Sequence, residues 1–466
     1  MPMASETDEA PEPEADRLPA GRLARTARFG GLVAWQSVRF AGTRLTNRVR
    51  SAEKAEEASN RRTAALVEQL VDQPGQMRGA AMKVGQMLSL VDFDGLPEDE
   101  REQLQARLAS LRDDVPPVPF AKLEKLLRSE LGGPLSQTFA EFDERAFAAA
   151  SIGQVHRART RDGDDVVVKV QYPGVAEAVE TDLRNAGLLL PLVQRLAPGL
   201  DGKAMLAELR ERIGEELDYE LEAQHQRRIE RLVRGSAFAR VPHVHTDLST
   251  RRVLVSEYVQ GLRYDEVRRL GEPARDAYAE RVFRFFFELL YRHRIALGDP
   301  HPGNYLLCDD GRVCFLDFGL LRDVPAAHLD AERAIAAAVR DEDAGALKAA
   351  LVAAGYIPAA RAGEVDAAWA LAFMRPALRW YAVPGVRRFR GSGGRPPHAR
   401  RSELTEAERA AAKHQADQFT VPPESILIRR MHGLVATVLS QLRAEADCGA
   451  IAAEYLHGAP PATDLG

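Results

Sequence analysis

The sequence predicts an α+β protein with two lobes, one strand-rich and one helical, a helical extension before them and extra helices after them. Three observations predict it. Residues 62–131 carry apolar residues at three- and four-residue spacing, as in RRTAALVEQL and PEDEREQLQARLASL, which is the period of helices with one buried face. Residues 135–172 then break into short β-branched runs between turn signals, and 241–259 and 305–319 return to that pattern. Elsewhere the helical spacing resumes.

Taken in order, residues 1–20 are acidic and Pro/Ala-rich and read as a disordered tail, with no secretory signal expected there. In residues 21–61 the charge reverses: RTARFGGLVAWQSVRFAGTRLTNRVR sets arginines among Phe29, Leu32, Trp35 and Phe40. Such a basic amphipathic segment suits either packing on the protein with a solvated basic face or lying on an anionic membrane surface. The helical extension spans 62–134, interrupted by DDVPP at 113–117; the strand-rich lobe spans 135–261 and the helical lobe 262–384. Residues 385–466 hold a basic Gly/Pro/Arg-rich loop, GVRRFRGSGGRPPHARR, and then helix.

Composition narrows the function. With 466 residues, 45% hydrophobic and 28% charged, the chain can bury a large core in two or three domains. A net charge of −5 argues against general nucleic-acid binding. Cys308, Cys314 and Cys448 are too few for a disulfide framework and suit a reducing, cytoplasmic compartment; they read as small buried hydrophobes. No apolar run reaches the roughly 18 residues of a membrane-spanning helix. FRFFFELLY at 283–291 is interrupted by Arg284 and Glu288 and reads as a core helix.

Three distant segments carry chemistry. VVVKVQ (166–171) sets one lysine, Lys169, on a β-branched strand, a rigid support from which to reach phosphate oxygens. GDPHPGNYLL (298–307) places Asp299 and Asn304 five residues apart, the spacing of a protein kinase's catalytic aspartate and metal-binding asparagine, in a loop stiffened by Pro300 and Pro302. FLDFGL (315–320) puts Asp317 at the end of an apolar strand, where its oxygens can hold Mg²⁺. RVLVSEYVQG (252–261) has the layout of a kinase hinge, with backbone near Glu257 and Val259 for an adenine and Ser256 as gatekeeper. FAAASIGQ (147–154) stands where a glycine-rich phosphate loop is expected, but Ala148, Ala149, Ala150 and Ser151 replace the glycines, which points to altered phosphate contacts. EELDYELEAQ (215–224) offers Glu216, Asp218 and Glu222 on one helix as candidates to hold the lysine, with Glu222 sharing the face of Asp218.

These motifs, with MKVGQMLS at 82–89, resemble the UbiB/AarF-type atypical kinase-like family over roughly residues 60–380. The resemblance implies a protein-kinase-like fold whose N-terminal helical extension carries a Lys-x-Gly-Gln motif. It implies Mg²⁺ with ATP or ADP, ATPase chemistry, and a place in quinone or isoprenoid-lipid metabolism at a membrane surface; it weighs against protein phosphorylation. By the same resemblance Lys169 contacts phosphates and Glu222 pairs with it; Asp299 is the catalytic aspartate; Asn304 and Asp317 hold the metal. Lys83 and Gln86, three apart on one helical face, cover the cleft, with Glu216 and Asp218 facing that helix and the metal. The implied partners are the nucleotide, a quinone-precursor or other isoprenoid lipid, a membrane surface and biosynthetic enzymes, and not nucleic acid. A nucleotide-gated scaffold without catalysis and a small-molecule phosphotransferase are the competing expectations.

Overall fold

The computed structural model describes residues 118–149, 152–187, 207, 210, 211, 213–298, 300–389, 411, 412 and 414–466. Lys83, Gln86, Ala150, Ser151 and Asp299 lie outside the described residues, as do the readings for the acidic tail, the basic segment and most of the helical extension. The chain divides into two compact units. The described residues of one fall within 118–126, 144–155 and 170–217; those of the other fall within 127–143, 156–169 and 218–466.

Helix α1 (Phe120–Glu130) buries Leu123, Leu126 and Leu127, spaced to share one face. A four-residue helix, α2 (Leu135–Thr138), leads into strand β1 (Phe139–Phe142). Three strands follow: β2 (Ala148–Ala149), β3 (Gly153–Thr160) and β4 (Asp165–Gln171). In the first unit β2 pairs antiparallel with the start of β3, Ala148 opposite Val155 and Ala149 opposite Gln154. Ahead of α1, the Val118 N–H donates to Gln154 Oε1 at 2.8 Å. Helix α3 (Val175–Gly187) buries Val179 and Leu183 against Ile213.

In the second unit β1 runs antiparallel to β3, Phe142 opposite Ala158, and the sheet order is β1, β3, β4 and then the strand Val253–Glu257. β4 alternates as a strand with one apolar face must: Val166, Val168 and Val170 are buried, while Val167 and Lys169 face the other way and stay partly open. Helix α4 (Tyr219–Leu232), strand β5 (Ala239–Arg240), strand β6 (Val253–Glu257), strand β7 (Leu262–Arg263) and helix α5 (Tyr264–Val267) follow. The long α6 (Glu272–Tyr291) buries Phe283, Phe285, Phe286, Phe287, Leu289 and Leu290, so it is apolar nearly all round and central to the core. Strands β8 (Ile295–Leu297), β9 (Tyr305–Leu307), β10 (Val313–Phe315) and β11 (Leu321–Asp323) come next. β9 and β10 form a hairpin, Phe315 opposite Tyr305 and Val313 opposite Leu307. Its turn needs Gly311, whose φ is +83°; the Cys308 N–H donates to the Arg312 carbonyl at 2.9 Å. β8 pairs antiparallel with β11, Leu297 opposite Leu321.

Helices α7 (Ala326–Arg340), α8 (Ala344–Ala353) and α9 (Ala367–Ala382) pack on one another. Strand β12 (Arg387–Arg388) precedes α10 (Pro423–Leu442), strand β13 (Glu445–Ala446) and α11 (Cys448–His457), and α10 and α11 both pack on α6. The segment read from sequence as a loop from residue 385 therefore begins in a sheet. Arg387 opposes Ala446, and the Arg388 guanidinium bonds Glu445 and Glu272, each at 3.0 Å, which ties the backbone down. All three cysteines are free and buried. Helices and sheets share the chain, the sheets antiparallel apart from the parallel pairing of β5 with β10, an α+β arrangement, and no helix among the described residues is long and apolar enough to cross a membrane.

Candidate functional site

α4 organises the site. Its buried residues, Tyr219, Glu222, Ala223, Gln226 and Ile229, recur every three to four positions and put Glu222 on the inward face. A carboxylate there needs a partner, because burial without one is costly. Lys169 supplies it from the open face of β4, its Nζ lying 2.7 Å from Glu222 Oε1 and 2.8 Å from Oε2. The same ammonium sits 4.8 Å above the Tyr219 ring. Burial alone would push the Lys169 pKa down; Glu222, then Tyr219 and Asp317, outweigh it and hold the ammonium charged, well above its ordinary value.

The sequence reading that sets Glu216, Asp218 and Glu222 on one helix is corrected here. The chain breaks at Leu217–Asp218, and Asp218 is the extended N-cap of α4. Its Oδ1 accepts from the N–H groups of Glu220 and Leu221 at 3.1 and 3.2 Å, and Oδ2 lies 3.4 Å from Arg251 Nε. That carboxylate closes a helix end, which is the ordinary work of an N-cap aspartate. Glu216, half-buried, is the last helical residue before the break. An aspartate followed by Glu220 and Glu222 in the next turn is itself a helix-start signal, and it marks the break in the sequence.

Hairpin register brings the remaining residues together. Because Tyr305 opposes Phe315, the next pair outward is Asn304 and Leu316, and the Leu316 N–H donates to the Asn304 carbonyl at 3.0 Å. Asp317 follows directly, so its Oδ2 accepts from Asn304 Nδ2 at 3.3 Å while Oδ1 accepts from the Gly319 N–H at 2.9 Å. The loop before Asn304 is stiff: Pro302 opens a 3-10 turn, and His301 Nδ1 accepts from the Gly303 N–H at 3.1 Å. On the far side of Asp299, the Gly298 N–H donates to the Leu320 carbonyl at 2.9 Å.

The donors suit magnesium. One carboxylate and one amide oxygen are hard ligands, and Mg²⁺ takes few ligands from protein while keeping waters and phosphate oxygens. Among the described residues no group of three His, Cys, Asp or Glu side chains could form an all-protein metal cage. At the end of β6, the Glu257 N–H donates to the His243 carbonyl at 2.8 Å and its carboxylate pairs with Arg240, while Ser256 is buried. Val259 is buried in a small cluster with Cys308 and Cys314. Ala148 and Ala149 belong to the other unit.

Two contacts were not read from the sequence. Tyr219 places its ring beneath the lysine, and His225 Nδ1 lies 3.0 Å from the Phe318 carbonyl oxygen. The three-residue step from Glu222 to His225 was the available signal for the second, since such a pair neighbours on one helical surface.

Residues 110–351 match the ABC1 atypical kinase-like domain family. The chain is 34% identical over 321 residues to the atypical kinase COQ8B, mitochondrial, of Rattus norvegicus, covering 67% of this chain and 60% of that protein. It is 33% identical over 326 residues to the Danio rerio protein of the same name, covering 67% and 50%. The atypical kinase COQ8, mitochondrial, of Saccharomyces cerevisiae is 29% identical over 312 residues, covering 66% and 61%. The matches thus span 50% to 61% of these curated relatives' own length. Among solved structures, a Rv3197–erythromycin complex from Mycobacterium tuberculosis is similar with a TM-score of 0.61 at 29% identity, covering 87% of this chain and 97% of that one.

Proposed function

The chain belongs to the ABC1 atypical kinase-like family, and on that premise we propose that it binds Mg²⁺ with ATP or ADP and acts as an atypical kinase or ATPase. One observation carries the reading: the Lys169–Glu222 pair and the Asn304–Asp317 pair, drawn from segments far apart in the sequence, both form within one compact unit. Lys169, aimed by Glu222, contacts the phosphates. Asn304 and Asp317 hold the metal, which when bound neutralises charge developing on the transferred phosphoryl group. Asp299 takes the proton of the attacking hydroxyl or water. Backbone near Glu257 and Val259 holds the adenine, and the 148–151 loop covers the phosphates. Lys83, Gln86 and Glu216 restrict access, while Asp218 acts through the start of α4. The setting, quinone or other isoprenoid-lipid metabolism at a membrane surface with biosynthetic enzymes as partners, rests on family membership alone.

The test is calorimetric titration of the full chain with ADP and ATP, with and without Mg²⁺, for wild type, Lys169→Met and Asp317→Asn, alongside phosphate release. Mg²⁺-dependent binding is expected in wild type, about tenfold or more weaker in Lys169→Met and without metal dependence in Asp317→Asn. Wild type that ignores nucleotide under every condition sinks the reading. Binding without turnover moves it to the nucleotide-gated scaffold, and phosphate found on an added small acceptor moves it to a phosphotransferase.

A further inference from the structure

His225 stands one turn beyond Glu222 on α4, and its Nδ1 faces the Phe318 carbonyl oxygen at 3.0 Å. A carbonyl only accepts, so Nδ1 carries the proton and donates. The peptide unit that owns this carbonyl also owns the Gly319 N–H, which donates to Asp317 Oδ1 at 2.9 Å. The peptide is planar, with its C=O and N–H pointing oppositely, so a bond that holds the carbonyl also aims the N–H. Hydrogen bonds at the two ends of one peptide unit also polarise and strengthen each other. The Phe318 ring is itself buried in the core, which leaves rotation of this peptide as the freedom still to be restrained.

We propose that His225 is a positioning residue for the metal-binding carboxylate: by holding the Phe318–Gly319 peptide it pins Asp317 Oδ1 and keeps Oδ2 turned to Asn304 and the metal. The proposal rests on the Mg²⁺-nucleotide reading above. It makes α4 a single support for both halves of that site, since Glu222 aims Lys169 and His225, a turn later, aims the metal loop. One further turn on, Arg228 grips Asp323 of β11 through two bonds of 3.0 and 2.6 Å. Both partners there are largely solvent-exposed, so that contact contributes little beside the two inner ones.

The test compares His225→Leu, which keeps bulk and loses the donor, with His225→Asn, whose Nδ2 occupies the place of the histidine Nδ1. Two readouts are used on the full-length protein. The first is hydrogen exchange of the Gly319 amide without metal or nucleotide, expected to be about tenfold faster in His225→Leu and near wild type in His225→Asn. The second is ADP affinity against Mg²⁺ concentration. The apparent Mg²⁺ affinity should fall about tenfold in His225→Leu, the scale of losing an outer-shell partner, with metal-free ADP affinity unchanged and His225→Asn restoring the response. Equal weakening with and without Mg²⁺ would mark a merely structural residue and overturn the proposal, as would Asn behaving like Leu. Should His225→Leu not fold, His225→Gln replaces it, because its amide sits one carbon too far; Gln and Asn giving the same Mg²⁺ affinity overturns the proposal. Asp317→Asn separates the layers. Loss of Mg²⁺ dependence in Asp317→Asn with none in His225→Leu refutes the role of His225 alone, whereas no Mg²⁺ dependence in wild type refutes the reading beneath it.

Discussion

Two cation–carboxylate pairs within one structural unit, Arg284–Glu454 and Lys169–Glu222, are built for opposite purposes. Arg284, inside α6, has a side chain 0% exposed, and its partner Glu454 is 3% exposed. Arg284 donates to both Glu454 oxygens at 2.8 and 2.9 Å, to Glu280 at 2.8 Å, to the Tyr455 hydroxyl at 3.2 Å and to Thr463 at 2.9 Å. The planar guanidinium is saturated and sealed. Lys169 keeps 24% of its side chain open against 5% for Glu222. Its ammonium has three N–H groups, two of which suffice to face the Glu222 oxygens. The arginine pair closes a core; the lysine pair aims a charge and leaves it accessible. Satisfaction and exposure, more than charge, separate a structural ion pair from one ready for a ligand.

The largest effect that can break this contrast is on stability. Arg284→Met should cost about 3–5 kcal/mol in urea unfolding, because Glu454 and Glu280 lose their buried cation, with nucleotide affinity unchanged where the protein stays folded. Lys169→Met should cost less, about 1–3 kcal/mol, since the half-open site lets Glu222 take up a proton or water. Equal costs would erase the distinction.

The pairs should also fail on opposite sides of neutral pH. Burial would raise the Glu454 pKa, but Arg284 and the Ala462 N–H outweigh it and hold it below the usual carboxylate range. The unfolded chain then binds that proton more readily, so this contribution is complete at pH 7 and is lost as pH falls through roughly 4.3 and below. Lys169 is shifted upward, so its contribution is complete at pH 7 and is lost only as pH rises beyond roughly 10.4. Urea midpoints across pH should therefore show an acid limb that flattens in Arg284→Met and an alkaline limb that flattens in Lys169→Met. An alkaline limb that survives unchanged in Lys169→Met, or an acid limb that survives unchanged in Arg284→Met, contradicts the assignment.

The smallest effect sharpens the role of α4. Asp218→Ala should cost about 1 kcal/mol by urea denaturation, the worth of an N-cap, while Asp218→Asn should cost much less because its side-chain oxygen still caps. An Asn variant as damaged as Ala would shift the weight to the Arg251 contact.

Much of the site was legible because it is local. VVVKVQ is a strand by its β-branched alternation, and the strand, turn and strand of 305–315 follow from apolar runs around Asp-Asp-Gly. Asn304 and Asp317, thirteen residues apart, adjoin because hairpin register sets Asn304 opposite Leu316 and Asp317 is the next residue. The acidic run at 215–224 was harder, since it holds five carboxylates and three of them, Glu216, Asp218 and Glu222, stood as candidates for the lysine. The helix break at Leu217–Asp218 separates a cap from a buried partner.

Arg284 shows the limit most plainly. In sequence it interrupts an apolar run that reads as a core helix, and nothing near it in the chain names its distant partner. The fold instead brings Glu454, 170 residues away, to the two terminal nitrogens of its guanidinium and buries the pair. The same holds for Lys169 and Glu222 at a separation of 53 residues, and for His225 and Phe318 at 93. By itself the sequence determined where strands, turns and helices form and which chemistry-bearing residues they carry, because propensity and periodicity act between near neighbours. The tertiary structure decided which charge meets which, and whether it is sealed or left open, because burial and desolvation depend on segments that only folding brings together.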